Sequence, residues 1–257
     1  MEAENLIRIG NDSIFYKTIK VNGDENSGIL IFLHDALGST EQWRDFPALL
    51  AEKTGLDAIV YDRPGYGRSS PATSERTGKY LRQEAERVLP AFLEKLGIEK
   101  PFLFGHSDGG TIALLYAARH PARAIICEAA HVLVEEETIA GIRHAGEQKD
   151  VLVEKLAKYH GAKNAARLFD EWQRVWLSDD FRQWNVEAEL GKIECPALLF
   201  QGLGDEYATT GHLARIAEGI GQKARPVLLE NCGHLPHHDA PEEVIEQTAE
   251  FLEDVNG

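Results

Sequence analysis

Short apolar runs alternate with amphipathic stretches along most of the chain. Residues 28–34, GILIFLH, are apolar without alternation, the pattern of a strand buried on both faces. Similar runs at 58–62, 102–106, 124–130, 197–202 and 225–230 predict five more strands. Ahead of them, 6–9 and 13–21 predict an antiparallel pair. Between the strands the spacing predicts helices over about 40–53, 79–96, 108–119, 208–219 and 241–255. In the last of these Val244, Ile245, Thr248, Phe251, Leu252 and Val255 form one stripe suited to lie on a sheet. The rhythm predicts an α/β fold, a mostly parallel sheet of eight strands with helices on both faces.

Residues 132–192 break that rhythm. No strand is evident there, and Leu168, Phe169, Trp172, Val175 and Trp176 repeat at helical spacing. Three of the four tryptophans, Trp172, Trp176 and Trp184, fall in this stretch. It is expected to be a helical cap inserted into a core made of 1–131 and 193–257. The cap would sit over the carboxyl ends of the strands, where open α/β sheets bind ligands.

Composition narrows the function. Lys and Arg number 27 against 42 Asp and Glu, a formal charge of −15. A phosphate-binding surface needs the opposite sign, so neither nucleic acid nor an anionic membrane is an expected partner. The segment MEAENLIRIG has no basic region followed by an apolar one, so no signal peptide is expected. The three cysteines, Cys127, Cys195 and Cys232, are too few and too scattered for a disulfide framework or a zinc site. Cys127 is expected in the core, and Cys232, two residues before His234, as a packed thiol. The expected setting is cytoplasmic, as a monomer or small homo-oligomer, with no cofactor and no metal.

Between the fifth strand and the helix after it lies Phe104-Gly105-His106-Ser107-Asp108-Gly109-Gly110. Two adjacent residues, Ser107 and Asp108, are potential nucleophiles. A sharp strand–turn–helix elbow brings backbones together on either side of its central residue, so positions two before and two after must be small. Gly105 and Gly109 satisfy this for Ser107. Centring the turn on Asp108 would put His106 at a small position. Ser107 is therefore the expected nucleophile, and the Asp108 N–H, at a helix start, an expected donor to a developing oxyanion. His106 either lines the pocket or packs under the elbow.

A serine hydroxyl needs a base. Of ten histidines, His234 follows the last predicted strand and precedes the last helix, with His237 and His238 as alternatives. The Pro in HLPHH breaks helical ligand spacing and argues against a metal there. Asp205, just after the seventh strand, is the expected acid, with Glu206 as runner-up. The second oxyanion donor is expected in the loop after the third strand, at Ala36 or else Leu37. Ser69 and Ser70 are expected to hold the turn after the fourth strand.

These residues resemble the α/β-hydrolase superfamily over nearly the whole chain. LHDALGS is similar to its oxyanion loop, YDRPGYGRSS to its D-x-x-G-x-G-x-S loop, and GHSDGG, GLGD and CGHLPH follow in order. The order Ser107, Asp205, His234 is that of the superfamily's triad. The insertion resembles the caps of its esterase, lactonase and C–C hydrolase branches. One position departs: Asp35 stands where the oxyanion loop usually has Gly, and Arg63 or another basic group is expected to pair with it.

The resemblance and the residues together imply a serine hydrolase cleaving a small to medium carboxylic ester. His34, Leu37, His131, Trp172 and Trp176 are the expected substrate contacts. The same constellation serves C–C hydrolases, lactonases, thioesterases, lyases and cofactor-free oxygenases. A slow-turnover ligand-binding receptor is a rival from another class.

Overall fold

The computed structural model describes residues 1–21 and 28–256; residues 22–27 and 257, which the expected core ranges include, lie outside them. The strands are β1 (Glu2–Ile9), β2 (Asp12–Ile19), β3 (Ile29–Leu33), β4 (Asp57–Tyr61), β5 (Phe102–His106), β6 (Ala124–Glu128), β7 (Ala197–Gly202) and β8 (Ala224–Leu229). They form one eight-stranded sheet in the order β1-β2-β4-β3-β5-β6-β7-β8. β1 and β2 pair antiparallel, β2 meets β4 antiparallel, and every other neighbour is parallel.

The helices are α1 (Phe46–Thr54), α2 (Tyr80–Gln83), α3 (Leu89–Leu96), α4 (Asp108–Ala117), α5 (Glu136–Glu147), α6 (Lys149–His160), α7 (Ala162–Trp176), α8 (Glu187–Leu190), α9 (Gly211–Ile220), α10 (Pro236–Asp239) and α11 (Pro241–Asn256). Helices α1 and α11 cover one face, their Phe46, Leu50, Val244, Phe251 and Leu252 packing on Phe32, Phe104 and Leu198. Helices α3, α4, α9 and the insertion share the other core, with Phe92, Ile112, Ile216, Phe169 and Trp176. No helix of the described residues is long and apolar enough to cross a membrane.

Several elements differ from the sequence pattern for local reasons. β1 begins at Glu2, because edge residues need no apolar signal to pair. β6 stops at Glu128, since Ala129 takes a left-handed φ of 48° and turns the chain toward the insertion. The run 40–53 is a 3-10 turn at Thr40–Trp43 and then α1, interrupted where Arg44 has φ 53°. The run 79–96 is α2 and α3 joined by a π-helical turn over Glu84–Val88. Pro90 lacks the N–H an α-helix would use there.

The insertion between β6 and β7 carries α5, α6, α7 and α8. Its two ends are tied by a bridge between Leu133 and Asn185 and by Val186 N–H donating to Val132 O at 2.8 Å. Across the cleft, His160 of α6 accepts from Gly67 N–H at 2.9 Å and donates to Leu37 O at 2.9 Å. Asn164 and Arg167 of α7 donate to Gly65 O, each at 2.9 Å. The insertion is thus fastened to the loops after β3 and β4.

Candidate active site

Ser107 follows β5 and begins α4 with φ 55° and ψ −116°, a conformation that side chains rarely adopt. Sterics impose it. A Cβ on Gly105 would strike the main chain of Gly109, and one on Gly109 would strike Leu33 O. Strand and helix approach so closely that only glycine fits beside the serine.

Ser107, Asp205 and His234 come from the carboxyl ends of β5, β7 and β8 and meet. Ser107 Oγ donates to His234 Nε2 at 3.0 Å, and His234 Nδ1 lies 2.9 Å from both Asp205 oxygens. Asp205 also accepts from Tyr207 N–H at 2.8 Å, Ala208 N–H at 3.2 Å and Gln201 Nε2 at 2.5 Å. Burial opposes ionisation of Asp205, but His234, together with Tyr207 N–H and Gln201, outweighs it and holds the carboxyl below its usual range. Burial likewise opposes charge on His234, but Asp205, with Glu206 and Asp35, outweighs it and raises the imidazole above 6.5. Glu206 is exposed. His238 is exposed beside Asp239, and His237 is buried with its Nδ1 donating to Glu128 Oε2 at 2.6 Å.

Ala36 N–H and Asp108 N–H have no acceptor among the described residues, and both residues border the cavity over Ser107. Leu37 N–H does not share that freedom: it donates to Asp35 Oδ1 at 3.2 Å. The departure at Asp35 therefore makes a local turn. Arg63 does not pair with the Asp35 carboxylate as expected. Its Nη2 donates to Asp35 O, and its Nη1 stands 3.7 Å from Asp108 Oδ2. The guanidinium is anchored by the loop's main chain and turned toward the more deeply buried acid.

A cavity of about 100 Å³ opens over Ser107. Leu37, His131, Trp172 and Trp176 border it, together with Thr138, Ile142 and Tyr207, which the sequence pattern did not single out. His34 does not border it. Its ring is 2% exposed and faces Tyr66 and Arg63; Nε2 accepts from Arg63 N–H at 3.2 Å, so Nδ1–H donates to Asp35 O at 2.9 Å. Burial, and then Arg63, push this imidazole well below its ordinary value. Trp184 stacks on Phe181 outside the cavity.

Other polar residues support the site from behind. His106 packs under the elbow and donates from Nε2 to His234 O at 2.7 Å. Ser69 Oγ accepts from Phe15 N–H at 2.8 Å and donates to Asp62 O at 2.6 Å, and Ser70 Oγ accepts from Ser13 N–H at 3.2 Å. Burial pushes the Cys232 thiol up to about 12 and Cys195 up to about 11; Cys127 is raised too, so these are packed thiols. Among the described residues no three His, Cys, Asp or Glu side chains are grouped to hold a metal.

A hydroxyl bonded to an imidazole that is backed by a carboxylate, beside two free N–H groups, can attack a carbonyl and stabilise the resulting oxyanion. A family model described as "Alpha/beta hydrolase family" matches residues 30–247. The chain is 23% identical to a proline iminopeptidase of Saccharolobus solfataricus, over 98% of this chain and 93% of that protein. It is 25% identical to the human serine hydrolase BPHL, over 89% and 80%. Among solved structures, a membrane phospholipase A superposes with TM-score 0.82 at 24% identity, covering 100% of this chain and 87% of that one. An enol-lactonase from Burkholderia xenovorans LB400 gives 0.75 at 17% identity, covering 96% and 99%.

Proposed function

The chain belongs to the alpha/beta hydrolase family, and we propose that within it the protein is a serine hydrolase of small to medium carboxylic esters. One observation carries this reading: Ser107 Oγ, His234 and Asp205 are in hydrogen-bonded sequence, at 3.0 Å and 2.9 Å. His234 Nε2 takes the Ser107 proton as Oγ attacks the ester carbonyl. The N–H groups of Ala36 and Asp108 receive the oxyanion. The intermediate collapses to an acyl-serine, and His234 returns the proton to the departing alcohol. Water then gives a proton to His234 and attacks the acyl-serine; collapse frees the acid and restores the Ser107 hydroxyl. Trp172, Trp176, Ile142 and Leu37 give the cavity apolar walls suited to a short acyl or aryl group.

The test is turnover of p-nitrophenyl acetate and butyrate by the wild type and Ser107→Ala. Loss of nearly all turnover in the variant is expected, and equal rates reject the assignment. The likeness to proline iminopeptidase favours a second reading, a peptidase acting at proline. Proline p-nitroanilide in the same assay separates the two: a kcat/KM above that for the esters favours the peptidase.

A further inference from the structure

Most of the cavity over Ser107 is apolar, but one corner is not. Asp108, His131 and Thr138 line it, and their Oδ1, Nε2 and Oγ1 atoms are buried without a hydrogen-bond partner among the described residues. The three residues are 0%, 6% and 5% exposed. Buried polar atoms are nearly always paired, so three orphans on one small cavity point to a group that arrives with the ligand.

The corner is rigid. Thr111 Oγ1 donates to His131 O at 2.7 Å and accepts from His131 N–H at 3.2 Å, and the imidazole lies edge-on to Trp176, 4.6 Å between centroids. Asp108 is fixed by its other oxygen, which accepts from Tyr80 Oη–H at 2.7 Å. His131 Nε2 stands 3.5 Å from Asp108 Oδ1, an ion-pair distance longer than a normal hydrogen bond, so each still has room for a closer partner.

Resting on the serine ester hydrolase reading, we propose that this corner recognises a hydroxyl on the substrate within a few bonds of the scissile carbonyl, so that hydroxy-substituted esters are preferred. A hydroxyl donates to Asp108 Oδ1 and accepts from Thr138 or His131, which matches the mixed character of the corner. The group is neutral because Arg63 already stands 3.7 Å from Asp108 and answers its charge. A carboxylate would face both Asp35 and Asp108. The hydroxyl lies close to the carbonyl because one residue, Asp108, offers its main chain to the oxyanion and its side chain to the corner.

Two matched pairs test this: p-nitrophenyl butyrate against p-nitrophenyl 3-hydroxybutyrate for the acyl side, and ethyl against 2-hydroxyethyl butyrate for the alcohol side. In at least one pair kcat/KM favours the hydroxylated ester by about 10- to 100-fold. That ratio falls toward one in Thr138→Val and His131→Phe, and Thr138→Ser restores it. Ratios near one in both wild-type pairs overturn the proposal, as does a preference that survives both variants. Absence of Ser107-dependent turnover of all four esters rejects the esterase reading itself, and the proposal with it.

Discussion

The Nε2–H of His106 donates to the main-chain oxygen of His234 at 2.7 Å, joining the residue before the proposed nucleophile to the proposed base. Burial, and then the neighbouring histidines, hold His106 well below its ordinary value, so it is a neutral donor. The contact ties the His234 main chain to the strand end that precedes Ser107. His106→Phe keeps a ring of similar size and removes the donor. It is expected to lower kcat about 10- to 100-fold with a smaller change in KM, since a displaced base weakens the chemical step more than binding. Unchanged kcat for p-nitrophenyl butyrate would remove His106 from this role.

The pH profile follows from the direction in which His234 is displaced. The proposed base works when neutral, and Asp205, with Glu206 and Asp35, outweighs burial to raise His234 above 6.5. The kcat/KM of the free enzyme therefore rises with pH through a midpoint above 6.5. Asp205→Asn removes the stabilising charge, so its midpoint moves to lower pH while kcat falls by about 10³- to 10⁴-fold. A midpoint that stays in place in Asp205→Asn would show that another group is being titrated.

The strained elbow has a stability signature. Ser107 holds φ 55° and ψ −116°, which glycine adopts without penalty. Ser107→Gly is expected to be more stable than Ser107→Ala by about 1 kcal/mol, although both lack the proposed nucleophile. Urea unfolding of the two variants measures the difference, and equal midpoints mean that the elbow stores no strain.

The residues legible in the sequence were those fixed by short-range sterics. Gly105 and Gly109 give away Ser107 because their spacing reports a backbone approach, and strand ends place Asp205 and His234 at the same edge. Contacts between distant polar residues leave no such trace. Nothing in the pattern around His160 announces that it links Gly67 to Leu37, and nothing around Glu128 announces its pairing with His237. His34 shows the limit at a strand end: its position in sequence places it near the site, but its ring turns into the core, toward Arg63. Side-chain direction in a loop depends on partners that periodicity does not encode.

Asp35 is the position that departs from the familiar loop, and the structure gives it a definite task. Its Oδ1 holds Leu37 N–H at 3.2 Å, and Gly38 is required beside it, since a Cβ there would strike Oδ1. The turn occupies Leu37 N–H and leaves Ala36 N–H without an acceptor among the described residues. Asp35→Ala is expected to lose about 10-fold in kcat/KM on simple esters. Asp35→Asn keeps an acceptor oxygen and recovers most of it. Because Asp35 also contributes to raising His234, both variants shift the pH midpoint downward. Equal losses in the two variants would assign the effect to charge and not to the turn.

Glu84 makes stability depend on pH at a point away from the nucleophile. It opens the π-helical turn, is 8% exposed, and its Oε2 has no partner among the described residues. Burial outweighs Arg63 and Arg76 and raises its carboxyl from 4.5 to about 7. Between those values the folded protein keeps a proton that the unfolded chain has released. Stability must therefore fall as pH rises through this window, and the full penalty, about 3 kcal/mol, is reached above pH 7. Glu84→Gln carries no ionisable group and escapes the penalty. Its stability relative to wild type, from urea unfolding, is expected to climb from pH 4.5 to pH 8, and a difference independent of pH would mean that Glu84 ionises in the fold as readily as in the open chain.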